Sequence, residues 1–274
     1  MKLISTFNNT VLLSLIIFTF IISCTFEENQ TSSKILVESR TIKYKFADDK
    51  IDSTGTLYER IIYDILGRDS IIENYDGSGS LYLRTKLYYD PAGKKIKSID
   101  YKPDGKMESK TEFKYSPDGK LLERIREHVN GGSNRGQFYY SEKGERVKEI
   151  WTSKWYIDHT NESFTSEVIL LRSFNENGYC IGVKESADGK PFEDKITVFD
   201  SLGQIIFENW EDNFQKYTYD KNGNETEHLY LNKDNKMVWR WTSVYDTNNV
   251  RIQYTTYNSF NKPVEVLKKE MIYK

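Results

Sequence analysis

The stretch YYDPAGKKIKSIDYKPDGKMESKTEFKYSPDGK, residues 88–120, contains one short pattern three times: an aromatic residue, a polar step and a glycine. The glycines are Gly93, Gly105 and Gly119, and the last two directly follow Pro-Asp. Proline presets φ for the first turn position, and glycine takes the left-handed conformation that completes a bulged hairpin turn. The stretch therefore predicts consecutive β-hairpins.

The segments between these turns alternate in polarity, as strands do. In residues 107–115 a charged set alternates with a less polar set, and similar alternation is found in residues 81–89 and 237–245. Successive side chains of a strand point to opposite faces of the sheet. We therefore expect one face of the predicted sheet to be solvated.

The pattern recurs along most of the chain, so repeats decide the fold. The repeated step begins at Tyr63, Tyr89, Tyr115, Tyr140, Phe174, Phe199, Tyr219 and Tyr245. The intervals are 26, 26, 25, 34, 25, 20 and 26 residues, and several units have a second turn halfway. Each unit is interpreted as a two-stranded hairpin with its connection. We predict an all-β fold in which repetitive antiparallel β-hairpins over residues 41–274 form an extended, curved or partly rolled sheet.

The repeated motif resembles the YD repeats of the RHS and teneurin families. The motif stands as Tyr-Asp-x-x-Gly at residues 63–67, 89–93 and 219–223, and the resemblance covers roughly residues 57–260. In those families long arrays coil into hollow β-shells, sometimes around a toxin domain. A more distant likeness is to short-repeat bacterial antitoxin proteins, which implies an immunity protein that masks a toxin as an alternative function.

The N-terminus resembles the signal of a bacterial lipoprotein. Lys2 precedes the apolar run of residues 11–22, which has the length of a signal-peptide core. The run ends in Ile-Ile-Ser-Cys at residues 21–24, which resembles a lipobox. We therefore predict a signal peptide over residues 1–23, acylation of Cys24 and a flexible tether over residues 24–40. A plain signal peptide or an uncleaved anchor with a chance cysteine is the alternative.

These features predict a lipid-anchored protein of the bacterial cell envelope, held to the outer membrane through Cys24. Glu27 and Glu28 resemble the acidic surface-export signal of Bacteroidetes lipoproteins, which leaves surface exposure open. Removing residues 1–23 deletes Lys2 from 39 cations against 41 acids, so the mature net charge is −3. That balance argues against a nucleic-acid partner. With Cys24 acylated, Cys180 would have no intrachain disulfide partner.

The sequence offers no recognisable catalytic or metal-binding motif. His128, His159 and His228 lie far apart and lack the spacing of a zinc site. Residues 220–225 are superficially like a calcium loop, but the glycine is fourth where such a loop needs it sixth. We interpret that segment as a hairpin turn. We expect a noncatalytic protein without a metal or cofactor, although periodicity cannot exclude a glycosidase carboxylate pair.

One unit is about eight residues longer than its neighbours, and the excess lies near residues 151–164, WTSKWYIDHTNESF. A long loop on a rigid repeat scaffold is where function often accumulates. The candidate binding residues are Trp151, Trp155, Tyr156, Asp158 and His159, with Asn161 and Glu162 as further polar groups. They predict a site for a glycan or a protein. The alternative is a longer hairpin whose tryptophans pack across strands.

Overall fold

A computed structural model describes residues 35–47, 50–52, 54–157, 162–191, 196–210 and 213–274. The predicted signal peptide and Cys24 lie outside these residues. The described residues contain twenty strands and no helix, which confirms the predicted all-β fold.

The strands are numbered in chain order. Their bounds are β1 Leu36–Ala47, β2 Lys50–Ile51, β3 Thr56–Tyr63, β4 Asp69–Tyr75, β5 Leu81–Tyr89, β6 Lys95–Tyr101, β7 Met107–Tyr115, β8 Leu121–His128, β9 Ser133–Tyr140, β10 Arg146–Ile157, β11 Glu162–Phe174, β12 Cys180–Ala187, β13 Lys190–Pro191, β14 Ile196–Phe199, β15 Ile205–Trp210, β16 Asn213–Tyr219, β17 Glu225–Leu231, β18 Met237–Tyr245, β19 Arg251–Tyr257 and β20 Pro263–Tyr273.

All the pairings are antiparallel, and most join strands that are consecutive in the chain. Strands β3 to β13 form one such series and β14 to β20 another. Strand β1 pairs with both β3 and β20, so the N-terminal strand joins the two series. Among the described residues no ladder joins β12 or β13 to β14, and the sheet is not closed, although Cα atoms of β12 and β14 approach within 8 Å.

The start of the sheet differs from the predicted boundary between tether and repeats. Strand β1 begins at Leu36, so residues 36–40 lie in the sheet. The physical reason is that β1 has a partner strand on each side, which provides backbone hydrogen bonds for both edges. Ser39 is 1% exposed, and its Oγ lies 3.0 Å from the Tyr63 hydroxyl. At the strand's start, Ile35 and Lys274 exchange two backbone hydrogen bonds of 3.0 and 2.9 Å.

The hairpin turns follow the chemistry predicted from the motif. At the first motif the Asp64 carbonyl accepts from the Gly67 N–H at 3.0 Å, while Asp64 Oδ1 accepts from the backbone of Leu66 and Arg68. Gly67 has φ of 73°. The motif aspartate therefore fixes the turn and the glycine supplies its left-handed residue. Residues 220–225, the segment that is superficially like a calcium loop, form a hairpin turn of this kind. Gly223 has φ of 83°, and its N–H donates to the Asp220 carbonyl at 3.0 Å.

Motif tyrosines connect several of the hairpins to the preceding one. The hydroxyls of five motif tyrosines donate to backbone carbonyls of the preceding hairpin at 2.7 to 3.0 Å. The pairs are Tyr89 with Asp69, Tyr115 with Lys95, Tyr140 with Leu121, Tyr219 with Ile205 and Tyr245 with Glu225. Each acceptor begins the return strand of the earlier hairpin. The hydroxyl therefore adds a contact between units to the strand ladder.

A cation also lies over several of these tyrosine rings. The residue after the motif glycine provides it, and the cation lies 4.5 to 5.7 Å from the ring centroid. The pairs are Arg68 over Tyr89, Lys94 over Tyr115 and Lys120 over Tyr140. A cation over an aromatic face is attracted by the ring quadrupole. Each of these three tyrosines therefore contacts the preceding unit in two ways, through its hydroxyl and through a cation–π contact.

The described strands belong to one sheet. Apart from β12 and β14, the strands whose Cα atoms approach within 8 Å are hydrogen-bonded partners in that sheet. Phe138, Leu231 and Val266 are the buried hydrophobic side chains among the described residues. Because so few hydrophobic side chains in the described ranges are buried, cross-strand contacts within the sheet are a main source of stability.

Buried carboxylates in this sheet have cationic partners. Glu73 is 5% exposed and lies 2.7 Å from Arg84 and 3.4 Å from Arg60. Arg60 also binds Glu38 at 2.8 Å, and this hydrogen bond lowers the pKa of Glu38 to about 2. A buried charge without such partners would be strongly destabilising. These ion pairs therefore belong to the scaffold.

Candidate binding site at the long hairpin

The long unit is a longer hairpin. Strands β10 and β11 pair without interruption from Lys148–Leu171 to Ile157–Glu162. The adjacent β9 reaches only Lys154, whose partner is Ser133. Residues 155–157 therefore extend about 10 Å beyond β9 at a strand rise of roughly 3.3 Å per residue. On the other side β12 pairs with β11 only from Val168 onwards.

Trp151 belongs to the scaffold. Its ring covers Gly136 on β9, where a Cβ would lie 2.7 Å from Trp151 Cζ3. The ring packs edge-on against Phe138, with centroids 5.5 Å apart. Its Nε1 donates to Glu149 at 3.1 Å, and Glu149, which is 5% exposed, also accepts from Arg172. These contacts give the Trp151 ring and its N–H structural partners.

Trp155 lies in the projecting part of the hairpin and is 52% exposed. Its cross-strand partner is Phe164, which is 53% exposed. The two rings stack with centroids 6.5 Å apart and planes at 26°. Phe164 was not among the predicted site residues. Only the register of the hairpin, which depends on where the turn falls, places Phe164 opposite Trp155.

The remaining predicted residues differ in what the structure describes of them. Tyr156 lies in β10 and its backbone pairs with Ser163. Asp158, His159 and Asn161 lie outside the described residues, and Glu162 begins β11. The structure thus brings Trp155 together with Phe164 and separates both from the packed Trp151.

A second aromatic group lies on strands β16 to β18. The His228 ring stacks on Tyr217 with centroids 4.3 Å apart, and the Trp241 centroid lies 4.7 Å from His228 on the next strand. The Tyr217 hydroxyl donates to Glu208 at 2.7 Å, and His228 Nε2 lies 2.8 Å from the Gln215 side-chain oxygen. Burial lowers the pKa of His228. Burial, followed by the hydrogen bond to Glu208, raises the pKa of Tyr217 well above its ordinary value.

The surface has two clefts of about 250 Å³ each in the described part of the chain. The first lies at strands β1, β3, β19 and β20, and the second is lined by Lys43, Lys45, Asp52, Thr54, Thr56 and Gly77. Within the described ranges, no group of three or more His, Cys, Asp or Glu residues is arranged to hold a metal ion. The same ranges contain no helix long and apolar enough to cross a membrane.

Comparisons with known proteins give a likeness of architecture. No family model matches the chain, and no curated protein matches it by sequence. Among solved structures, a porin-like protein from Bacteroides uniformis is similar over 86% of this chain and 98% of its own, with 8% identity and a TM-score of 0.44. A porin-like protein from Bacteroides vulgatus is similar over 85% and 97%, with 10% identity and a TM-score of 0.37.

A Tc holotoxin pore from Photorhabdus luminescens is also similar, with 13% identity and a TM-score of 0.26. The similarity covers 83% of this chain but only 16% of the toxin chain. The observed fold itself is a repetitive antiparallel sheet of β-hairpins.

Proposed function

We propose that this protein is a noncatalytic, lipid-anchored protein of the bacterial cell envelope that binds a glycan at the end of the β10–β11 hairpin. The observation that supports the proposal is the stacked pair Trp155 and Phe164, each about half exposed on a projecting hairpin. Burial in the scaffold accounts for Trp151 but not for these two rings. Exposed aromatic faces beside polar groups suit the apolar faces and hydroxyls of a sugar.

A glycan is favoured over the masking of a toxin by the character of the clefts. A protein that covers a basic toxin would need an acidic concavity. The cleft beside β2 instead contains Lys43 and Lys45 with Asp52, and the cleft at β19 contains Arg251 and Lys269 with Glu59. These mixed linings disfavour the masking of a basic toxin, and a protein ligand is an outcome of the test.

The test is a screen of the mature protein against polysaccharides and cell-surface extracts. The Trp155→Ala/Phe164→Ala variant should lose binding, because it removes both stacked rings. Phe260→Ala is the matched control, since Phe260 is an aromatic residue 83% exposed in another hairpin turn. Equal glycan binding by the double variant and the wild-type protein would remove the hairpin from the site. Binding only to a surface protein would replace the glycan with a protein ligand.

The anchor is tested separately. Cys24→Ser should move the protein from the membrane fraction to the soluble exported pool, because the acylated side chain is absent. Mass spectrometry of the wild-type mature protein should show a diacyl or triacyl modification on Cys24. An unmodified Cys24 would contradict the lipid anchor without affecting the glycan test.

A further inference from the structure

A cleft of about 250 Å³ lies where β1 joins the two series of strands. It contains charged residues, whereas the end of the β10–β11 hairpin has the aromatic pair Trp155 and Phe164. Strand β1 lies between β3 and β20, with Thr41 opposite Glu59 on one side and opposite Lys269 on the other. Beside β20, strand β19 contributes Arg251 and Tyr254 to the cleft. Strands from the two ends of the described chain thus meet at a concave surface that is about as polar as it is apolar.

Two cations in this cleft, Arg251 and Lys269, have no carboxylate within ion-pair distance among the described residues, although the charge of Arg251 also acts on Glu225. Other cations of the sheet form ion pairs, such as Lys43 with Glu265 at 2.5 Å and Arg240 with Glu227 at 2.5 Å. Arg251 and Lys269 form no ion pair within the described parts of the chain. Arg251 Cζ lies 5.0 Å from the Tyr254 ring centroid, which holds the guanidinium beside an aromatic surface. Unpaired cations in a concave site favour an anionic ligand.

The other lining groups indicate a ligand that also carries hydroxyls. Glu59 accepts a long hydrogen bond of 3.4 Å from Thr41, which leaves its carboxylate able to accept from a ligand hydroxyl. Burial raises the pKa of Tyr254 to about 12, so its hydroxyl is protonated at neutral pH. In the described parts of the chain that hydroxyl forms no hydrogen bond within the protein. The Tyr58 side chain, 42% exposed, contributes a further aromatic group to the cleft.

We propose that this cleft binds a carboxylate-bearing sugar residue, a hexuronate, with its carboxylate at Arg251 and Lys269 and its hydroxyls toward Glu59 and Tyr254. A volume of about 250 Å³ has room for one monosaccharide unit. The ligand class follows from the lining: cations for the carboxylate, an acceptor and a donor for hydroxyls, and aromatic groups beside the ring. This site does not rest on the proposed role of the β10–β11 hairpin.

Isothermal titration of the mature protein with D-galacturonate, D-galactose and inorganic phosphate tests the proposal. Titration with trigalacturonate shows whether the cleft prefers a free sugar acid or a uronate within an oligosaccharide. Galacturonate should bind, more tightly at low than at high salt, because exposed charges are screened. Galactose and phosphate should bind at least about tenfold more weakly, because each lacks half of the recognised groups. Equal binding of phosphate, or no binding of either uronate, would overturn the proposal.

Two variants locate the site. Arg251→Gln and Lys269→Gln should each weaken galacturonate binding about tenfold or more, the loss expected for a charge-assisted hydrogen bond. Neither side chain has an ion pair to lose, so Lys269→Gln should keep the wild-type unfolding midpoint, and Arg251→Gln should lower it only slightly through loss of its contact with the Tyr254 ring. Lys268→Gln is the control, since Lys268 is the adjacent residue and lies over Tyr44, outside the cleft. Unchanged binding in both cleft variants would refute this location, as would an equal loss in Lys268→Gln.

Discussion

The units that begin at Tyr89, Tyr115 and Tyr140 differ by one side-chain oxygen at the motif position from the units that begin at Phe174 and Phe199. Each of these tyrosine hydroxyls reaches a carbonyl of the preceding hairpin. Phenylalanine has no such donor. The interruption of the ladder between β12 and β14 falls between Phe174 and Phe199. Turns alone therefore specify hairpins, whereas the motif hydroxyl adds a link from one hairpin to the next.

The cation–π contact changes in the same region. Arg68, Lys94 and Lys120 follow the motif glycine in the units that precede the three tyrosines, whereas Glu145 and Tyr179 occupy that position before the phenylalanines. The turn conformation is shared, because Gly178 and Gly203 have φ of 80° and 76°. A Cβ on Gly203 would lie 3.1 Å from the Cys180 nitrogen, so the turns remain in contact where the ladder is interrupted. The two regions therefore share their turns and differ in the links between units.

The largest expected effect concerns the shared turns. Gly119→Val should lower the free energy of unfolding by about 2 kcal/mol, because a β-branched residue is strained at positive φ. Gly119 has φ of 90°. Gly178→Val should cost a similar amount if the turns of the two regions are equivalent. Denaturant unfolding measures both losses.

Gly77→Val is the control for these turns. Gly77 lies in the turn that ends at Gly79, but it lacks a positive φ, and a Cβ there would meet nothing within 4 Å. We expect its unfolding midpoint to stay near that of the wild-type protein. A loss at Gly77 as large as the loss at Gly119 would contradict the assignment of the cost to the left-handed position.

A smaller effect concerns the link that only the tyrosine units have. Tyr115→Phe removes the 2.8 Å hydrogen bond to the Lys95 carbonyl and should lower the free energy of unfolding by about 1 kcal/mol. Tyr82→Phe is the control, since Tyr82 is 54% exposed. Chemical denaturation of both variants measures the difference. If the two variants were equally stable, the hydroxyl would not be a link between units.

Local chemistry allowed the hairpins to be predicted, and its short range explains what was missed. Gly105 and Gly119 marked turns because their neighbours Pro-Asp favour that backbone locally. The place of β1 between β3 and β20 could not be predicted in this way, because its partner Val266 is more than 200 residues from Tyr44 in the chain. No local pattern in β1 specifies which of many similar strands it joins.

The candidate site shows the same limit. The interrupted interval correctly indicated a longer unit, and Trp155 stood out as a large aromatic residue within it. The packing of Trp151 on Gly136 could not be predicted, because it depends on the register between β9 and β10. Phe164 was missed for a similar reason, since it becomes a partner of Trp155 only in the paired hairpin.

A still smaller effect should appear when a phenylalanine unit receives the missing oxygen. Phe199→Tyr would place a hydroxyl where the repeat pattern predicts the Cys180 carbonyl, the first residue of the preceding return strand. We expect a gain of about 0.5 kcal/mol in the free energy of unfolding, below the full value of a hydrogen bond because β12 and β14 share no ladder among the described residues. Denaturant unfolding should show a higher midpoint. A loss of stability would show that the position is unable to accommodate the oxygen.

The smallest expected effect is a change in the pH dependence of stability, caused by His228 in the C-terminal units. Burial lowers the pKa of His228 below its ordinary 6.5, so the unfolded chain takes up this proton more readily than the folded protein. The contribution of neutral His228 is therefore complete above pH 6.5 and is lost progressively as the pH falls below that value. Glu225 acts in the opposite direction, because burial raises its pKa above 4.5.

His228→Gln distinguishes the two groups, because Glu225 is present in both proteins. The wild-type protein should lose more unfolding free energy than His228→Gln when the pH is lowered from 7.5 to 5.5, whatever the stability of the variant at pH 7.5. The measurement is denaturant unfolding of both proteins at both pH values. An unchanged pH dependence in His228→Gln would contradict this prediction. It would show that the imidazole is protonated as easily in the folded protein as in the unfolded chain, so the aromatic stack would not lower the pKa of His228.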